Sequence, residues 1–183
     1  MAEVAFDLGD VVARPYRDGD APALLAAVRE SVQSVGRWLP WCTAEYGEQH
    51  AADWINLCAA TWTSGDQFAF AIFDTDGDFL GSVGLSHRNR EHNFASVGYW
   101  IRESARGRAL ASRVARHVIR FGFDQVRLTR IEIVAAVENL ASRRTAKRCG
   151  GRFEGIQRNR LVVRDKAFDA AMYAIVLENL ANA

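Results

Sequence analysis

The sequence has few cysteines, few histidines and no apolar run of the roughly 20 residues needed to cross a membrane. Cys42, Cys58 and Cys149 form no CxxC pair, and their odd number argues against a disulfide framework. The four histidines show no zinc-ligand spacing beside cysteine or carboxylate, so no metal site is expected. The first ten residues carry three acidic side chains and lack the basic start of a secretory signal. These absences favour a cytoplasmic protein without a membrane partner.

The composition is that of a globular enzyme-sized domain. The chain has 183 residues, of which 49% are hydrophobic and 25% charged, and this length can bury most of its apolar surface. No internal repeat and no Gly/Ser/Pro linker divides it. We therefore expect a single domain over residues 1–183.

The net charge of +1 conceals two halves of opposite sign. Residues 1–100 hold 6 Lys/Arg against 14 Asp/Glu, whereas residues 101–183 hold 17 against 8. A basic second half suits a phosphorylated ligand, although the two halves can also neutralise each other in a compact fold.

Glycine and aspartate punctuation divides the chain into elements of the order β-α-α-β-β-β-α-β-α-β-β. The predicted strands cover residues 11–16, 67–74, 79–86, 93–101, 131–137, 151–156 and 168–177. The predicted helices cover a short segment after Asp20 and residues 45–62, 110–121 and 139–149. A meander that feeds a β-α-β-α unit predicts a mixed, mostly antiparallel α/β sheet of about seven strands with about four helices.

The most informative segment joins a predicted strand to a predicted helix through residues 99–111. Small residues let an anion approach the main chain, and the free N–H groups at a helix start attract it. Arg106 and Arg108 add positive charge beside these groups. The segment therefore predicts a phosphate-binding loop.

Several blocks in this order resemble the GNAT acetyltransferase superfamily, in particular its RimJ/RimL-like branch. The blocks are RGRALA at 106–111 (family pattern Q/R-x-x-G-x-G/A), GYWI at 98–101, NLAS at 139–142, RCGGRFEG at 148–155, RPY at 14–16 and WLPW at 38–41. Two positions depart from the family pattern. Ala109 stands at the first loop glycine, and Gly151 stands where the family usually has phenylalanine.

The resemblance implies an acetyltransferase that uses acetyl-CoA as co-substrate and needs no metal. The strands at 93–101 and 131–137 would splay apart, and the pantetheine arm would pair with the open edge. The residues implied in coenzyme binding are Trp100, Ile101, Arg106, Gly107, Arg108, Ala109, Leu110, Ala111, Asn139 and Ser142.

The resemblance also implies candidates for catalysis. The tyrosine that many relatives use as the acid is replaced by Ala146, and Ser142 is the substitute that the branch suggests. Ser142 could instead cap the first turn of its helix. Ser96 stands where relatives often carry a glutamate, which leaves Glu132 as the candidate base. The alternatives to it are His87, Glu91 and His92, and each of these four could also be a surface or paired residue.

A site without an evident strong base favours an acceptor that is already partly neutral. An α-amine has a pKa of about 7.7–8.0, against about 10.4 for lysine. This favours the α-amine of a protein N-terminus, which is also the habit of the branch. Trp38, Trp41 and His87 are the candidate acceptor-binding residues, although the tryptophans could simply fill the core.

Other functions remain open at this level. They are acylation of a small-molecule amine such as an antibiotic or polyamine, and acyl-CoA binding without catalysis. The eight arginines between Arg102 and Arg130 raise nucleic-acid binding, but no recognition signature accompanies them. Homodimer formation also remains open.

Overall fold

The computed structural model describes residues 4–180. The strands are β1 (Phe6–Asp7), β2 (Val11–Pro15), β3 (Phe68–Asp74), β4 (Phe79–Asn89), β5 (Phe94–Ile101), β6 (Arg130–Ala136), β7 (Arg152–Val163) and β8 (Lys166–Ile175). The helices are α1 (Ala21–Glu30), α2 (Glu48–Ser64), α3 (Leu110–Asp124), α4 (Leu140–Arg148) and the short α5 (Leu177–Leu180). Every helix and strand predicted from the sequence has a counterpart here.

The eight strands form one sheet in the order β1-β2-β3-β4-β5-β6-β8-β7. All neighbours are antiparallel except β5 and β6, which are parallel. The predicted mixed, mostly antiparallel sheet is confirmed. The structure adds β1, whose two residues are too few to give a periodic signal. It also extends β7 to Val163, because β7 and β8 form a long hairpin that the sequence shows only as two short runs.

The sheet separates two apolar clusters, because successive side chains of a strand point to opposite faces. In β3, Phe70 and Ile72 belong to a cluster with α3 and α4, whereas Ala71 belongs to a second cluster with α1 and α2. The apolar side chains of α3 at Leu110, Val114, Val118 and Phe121 all belong to the first cluster, and Val114 and Val118 are completely buried. The two faces of the sheet are therefore covered mainly by different helix pairs, with Trp62 near the end of α2 reaching the first cluster.

The tryptophans divide between core and surface. Trp62 packs edge-on against Phe68 and Phe70, and Trp54 packs edge-on against Tyr16. Trp38 is half-buried and Trp41 is 40% exposed. Trp38 and Trp100 line the cleft described below, whereas Trp41 does not.

Several expectations concern absences. Among residues 4–180 no helix is long and apolar enough to span a membrane. The three cysteines are buried and carry free thiols. Within the same described part of the chain, no three His, Cys, Asp or Glu side chains group closely enough to hold a metal ion.

Candidate active-site cleft

The two parallel strands β5 and β6 pair only at their beginnings. Phe94 to Ser96 pair with Arg130 to Glu132, and beyond this point β5 pairs only with β4 and β6 only with β8. The facing main-chain edges of residues 97–101 and 133–136 are therefore open. An extended molecule can hydrogen-bond to them as an added strand would. This is the divergence that the resemblance implied.

A cleft of about 590 Å³ passes through this wedge. Its walls come from β5, the loop before α3, β6 and α4, and also from the α1–α2 connection and the β7–β8 hairpin. Nine of the ten residues predicted to bind coenzyme line the cleft, and Arg108 is the exception. The cleft wall therefore includes both the predicted phosphate loop and the rings of Trp38 and Phe168.

The loop before α3 presents its main-chain N–H groups to the cleft. Gly107 has φ +84°, and Ala109, with φ 55° and ψ 14°, forms the N-cap of α3 in the left-handed region. The N–H groups of residues 107–112 donate to no other described residue, and the first N–H of the helix that does so is that of Arg113. Four of these residues, Gly107, Ala109, Leu110 and Ala111, also line the cleft, and free donors at a helix start make this a candidate anion site.

Contacts with the end of α1 fix the position of this loop. Glu30 is bound by Arg102, whose Nε donates to Oε2 at 3.0 Å, and it accepts the Ser104 N–H. The Glu103 N–H donates to Ser31 Oγ at 3.1 Å. The Arg102 guanidinium lowers the pKa of Glu30 to about 2, so this carboxylate stays charged. These contacts hold residues 102–104, which lead into the loop before α3, against the end of α1 on the other face of the sheet. We call residues 102–112 the donor loop, because it carries the free N–H groups.

The start of α4 brings Asn139 and Ser142 to the cleft. The Asn139 Oδ1 accepts the Ser142 N–H at 3.1 Å, so Asn139 is the cap of this helix. The Asn139 Nδ2 makes no hydrogen bond to a described residue and lies at the cleft wall. The Ser142 hydroxyl does not cap the helix, which removes the structural alternative considered for it.

Ser142 is instead paired with Tyr99 of β5. The Tyr99 hydroxyl donates to the Ser142 carbonyl at 3.0 Å and lies 3.1 Å from Ser142 Oγ. Burial raises the pKa of Tyr99, so the phenol keeps its proton. Sequence analysis missed Tyr99, although it lies in the GYWI block, because its partner is 43 residues away. The two hydroxyls form a short proton-carrying pair at the cleft wall.

Of the remaining candidates, Glu132, His87 and Trp41 lie outside the cleft wall, whereas Trp38 is part of it. Glu132 pairs with Arg130 (Nε to Oε1, 2.9 Å) and borders a separate hollow of about 300 Å³. His87 is exposed at an irregularity of β4, with Nδ1 3.0 Å from Ser86 Oγ. Trp41 packs edge-on against Trp100 at 5.5 Å, and so reaches the cleft only through that ring. Trp38 lines the cleft directly.

The charge of the cleft is positive. Its described lining includes Arg106, Arg144 and Arg148 but no carboxylate and no imidazole. Cys149 lies behind this wall, and burial raises the pKa of its thiol to about 11, which makes it a poor nucleophile. Four of the eight arginines between residues 102 and 130 form ion pairs with described carboxylates, which leaves fewer of them for a polyanion.

Comparisons with known proteins agree with this geometry. Residues 10–152 match the acetyltransferase (GNAT) domain family. The putative ribosomal N-acetyltransferase YdaF of Bacillus subtilis is 28% identical over 162 residues, which are 86% of each chain. Mycobacterium smegmatis RimJ in complex with CoA-disulfide superimposes with a TM-score of 0.81 at 27% identity, over 93% of this chain and 83% of RimJ. RimL, a ribosomal α-N-protein acetyltransferase solved with coenzyme A, shares the fold with a TM-score of 0.89 at 19% identity, over 96% and 99%.

Proposed function

The chain belongs to the GNAT family of N-acetyltransferases, in its RimJ/RimL-like branch, and we propose that its acceptor is the α-amine of a protein or peptide N-terminus. The observation that carries this proposal is the absence of a carboxylate or imidazole from the described lining of the cleft. Nothing in that wall can readily take a proton from a strongly basic amine. The acceptor must therefore reach the cleft with a substantial neutral fraction.

The neutral fractions of an α-amine and of a lysine side chain differ enough to favour the α-amine as the acceptor. At pH 7 roughly a tenth of an α-amine is neutral, against a few in ten thousand of lysine side chains. This ratio corresponds to about 3.5 kcal/mol, which a base would have to supply for lysine. The three arginines of the cleft lining further disfavour an ammonium group there. Both effects select the amine of lower pKa.

Acetyl-CoA fits the other requirements of the cleft. The free N–H groups of residues 107–112 would hold its pyrophosphate, and the open edges of β5 and β6 would pair with its pantetheine arm. Asn139 Nδ2 is available as a donor to that arm. When bound, acetyl-CoA supplies an acyl carbon that is open to attack by a neutral amine.

The hydroxyl pair then supplies the proton that the reaction needs. Direct transfer forms a C–N bond and breaks the C–S bond, so the departing sulfur must gain a proton. Ser142 Oγ can donate it, and Tyr99, 3.1 Å away, can return one to Ser142. The proton lost by the attacking amine leaves to solvent, and solvent returns a proton to Tyr99, so that the hydroxyl pair is restored. Tyr99 therefore serves both to orient Ser142 and to restore its proton.

A thiol-release assay with matched acceptors tests the proposal. The acceptors are peptides with a free N-terminus and no lysine, the same peptides with a blocked N-terminus and one lysine, polyamines and aminoglycosides. We expect coenzyme A release, and a mass increase of one acetyl group, with the free N-terminal peptides. Preferential turnover of blocked lysine peptides or of a small-molecule amine would contradict the proposal and identify the other acceptor class.

A further inference from the structure

Three cations lie beside the cleft-lining residues Trp38, Val163 and Phe168, where we place the acceptor end of the cleft. None of the three forms an ion pair with a described carboxylate. We call Arg37, Arg164 and Lys166 the cationic rim. The Arg37 guanidinium lies over the Trp38 ring at 4.8 Å, and Lys166 Nζ lies over the Phe168 ring at 4.9 Å. These two rings line the cleft and meet edge-on, with centroids 6.3 Å apart. Two of the cations therefore make cation–π contacts with the aromatic pair Trp38 and Phe168.

Arg164 joins the rim from the tip of the β7–β8 hairpin. Val163 pairs with Lys166, so Arg164 and Asp165 form a two-residue turn with φ of 48° and 60°. Such turns usually take glycine or asparagine, because other residues are strained there. An Arg164 Nη nevertheless reaches the α1–α2 connection, where it lies 3.2 Å from the position that a Cβ on Gly36 would occupy.

Two acidic groups lie near the rim, and neither forms an ion pair with one of its cations. Asp165 is in the turn itself, and Glu45 is influenced by Arg164 only weakly, since its lowered pKa comes first from a hydrogen bond with Thr43. The rim also lies on the side of the sheet opposite α3, since neighbours of Arg37 in the α1–α2 connection belong to the second apolar cluster. The phosphate loop has its own main-chain donors in residues 107–112. The rim is therefore left for the acceptor.

We propose that the preferred acceptors carry acidic residues directly after the free α-amine. The inference rests on the proposed function and specifies the substrate class of the same site. Carboxylates in the first few positions of a peptide would meet the cationic rim, whereas lysine or arginine there would be repelled. The rim also favours the neutral, reactive form of the entering amine, because a nearby positive charge lowers an amine pKa.

Peptides that differ only in charge test this inference. Each has serine at its free N-terminus, followed by three Asp, three Asn or three Lys residues. With the wild-type enzyme at low salt we expect kcat/KM to be about 5- to 20-fold higher for the Asp peptide than for the Asn peptide, as for a few partly exposed ion pairs. The Lys peptide should be the poorest, and the differences should shrink in 0.5 M NaCl because salt screens exposed charges.

A rim variant and a matched control assign the effect to these residues. The rim variant combines Arg37→Gln, Arg164→Asn and Lys166→Gln. The control combines Arg116→Gln, Arg120→Gln and Arg127→Asn, which removes three exposed cations near α3, including one arginine with φ 61°. We expect the rim variant to lose the Asp preference through peptide KM, and the control variant to retain it.

The outcomes separate this inference from the function on which it rests. Equal turnover of all three peptides would overturn the acidic preference while N-terminal acetylation stands. No turnover of any peptide would overturn the proposed function itself. A rim variant that changes only the KM for acetyl-CoA would assign the cations to the coenzyme, and rim-dependent binding of an RNA without peptide discrimination would assign them to nucleic acid. Either result would overturn the inference.

Discussion

The two ends of the cleft are built in different ways. The donor end is the part of the cleft that we propose binds acetyl-CoA. It consists mainly of main-chain groups of residues 97–112, with the first turn of α4 beside them. The acceptor end consists of side chains from the α1–α2 connection and the β7–β8 hairpin, which are more than 100 residues apart. Main-chain donors bind a common group such as a pyrophosphate, whereas side chains can vary without loss of the fold. From this contrast we expect coenzyme binding to depend on one end and acceptor selectivity on the other.

The largest effect on turnover should come from Ser142, which lies where the two ends of the cleft meet. We expect Ser142→Ala to lower kcat about 10²- to 10⁴-fold, the usual contribution of a proton donor. The KM for acetyl-CoA should stay nearly constant, because the contact matters only in the transition state. Steady-state kinetics with a peptide acceptor measures both.

Two companion variants sharpen this result. Tyr99→Phe removes the partner hydroxyl and should give a smaller fall in kcat with an altered pH profile. Thr145→Ala changes another hydroxyl of the cleft wall and should change kcat less than about twofold if the Ser142 assignment is right. A folded Ser142→Ala enzyme with near-normal kcat would remove Ser142 from the mechanism and make Thr145 the next candidate.

The contrast between the two ends also explains what the sequence could predict. The donor loop could be predicted because its function depends on small residues and a helix start, which are local properties of residues 106–111. The sheet followed from the alternation of its strands. The pair Tyr99–Ser142 and the cationic rim could not be predicted, because each depends on which segments the fold brings together. Asn139 was placed at the site by the resemblance, but its role as the helix cap needed the structure.

The next largest effect should be a loss of acetyl-CoA affinity when a negative charge is introduced at the donor end. Gly107→Glu places a carboxylate beside the bound pyrophosphate and should raise the Kd of acetyl-CoA about 100-fold or more. Gly77→Glu is the matched control, since Gly77 has φ +85° and equally open surroundings in the β3–β4 turn. Calorimetry on both variants separates charge repulsion from backbone strain. Equal affinity of Gly107→Glu and wild type would move the coenzyme site elsewhere.

Asn139 combines two roles that can be separated. Asn139→Ala should lower turnover or acyl-CoA affinity about 10- to 100-fold, because a hydrogen-bond partner is lost, and should cost about 1 kcal/mol of stability through the lost cap. Asn139→Asp keeps the capping oxygen but lacks the Nδ2 donor. We expect it to melt like the wild type and to turn over as poorly as the alanine variant. If Asn139→Asp is fully active, Nδ2 has no role in binding.

Glu30 connects the two ends, because it lies at the end of α1 and holds the donor loop. Its folded pKa of about 2 is below the unfolded value of about 4.3, so the charged carboxylate stabilises the fold above that unfolded value. This stabilisation is lost as the pH falls from about 4.3 towards 2.

We therefore expect Glu30→Gln to cost about 1–2 kcal/mol at pH 7, between the values for exposed and buried ion pairs. The difference from wild type in urea unfolding should diminish steadily below pH 4. The control Asp66→Asn removes a pair with Arg90 in which both side chains are 58% exposed, and should cost much less stability than Glu30→Gln because exposed ion pairs contribute little. A Glu30→Gln cost that does not change with pH would contradict the assigned anchor.

The smallest effect should be a gain in stability at the donor loop. Ala109 is the N-cap of α3 with φ 55°, a conformation that costs an L-residue about 1–2 kcal/mol. Ala109→Gly removes this strain but increases the entropy of the unfolded chain by roughly 0.4–1 kcal/mol, so the net gain should be about 0.5–1 kcal/mol. Ala111→Gly, two residues later inside the helix, should instead destabilise by roughly 0.5–1 kcal/mol, because glycine there only adds flexibility. Thermal unfolding should therefore shift in opposite directions for the two variants. A loss of stability in both would mean that the left-handed cap is not strained, and that the alanine at the position of the family glycine costs the loop nothing.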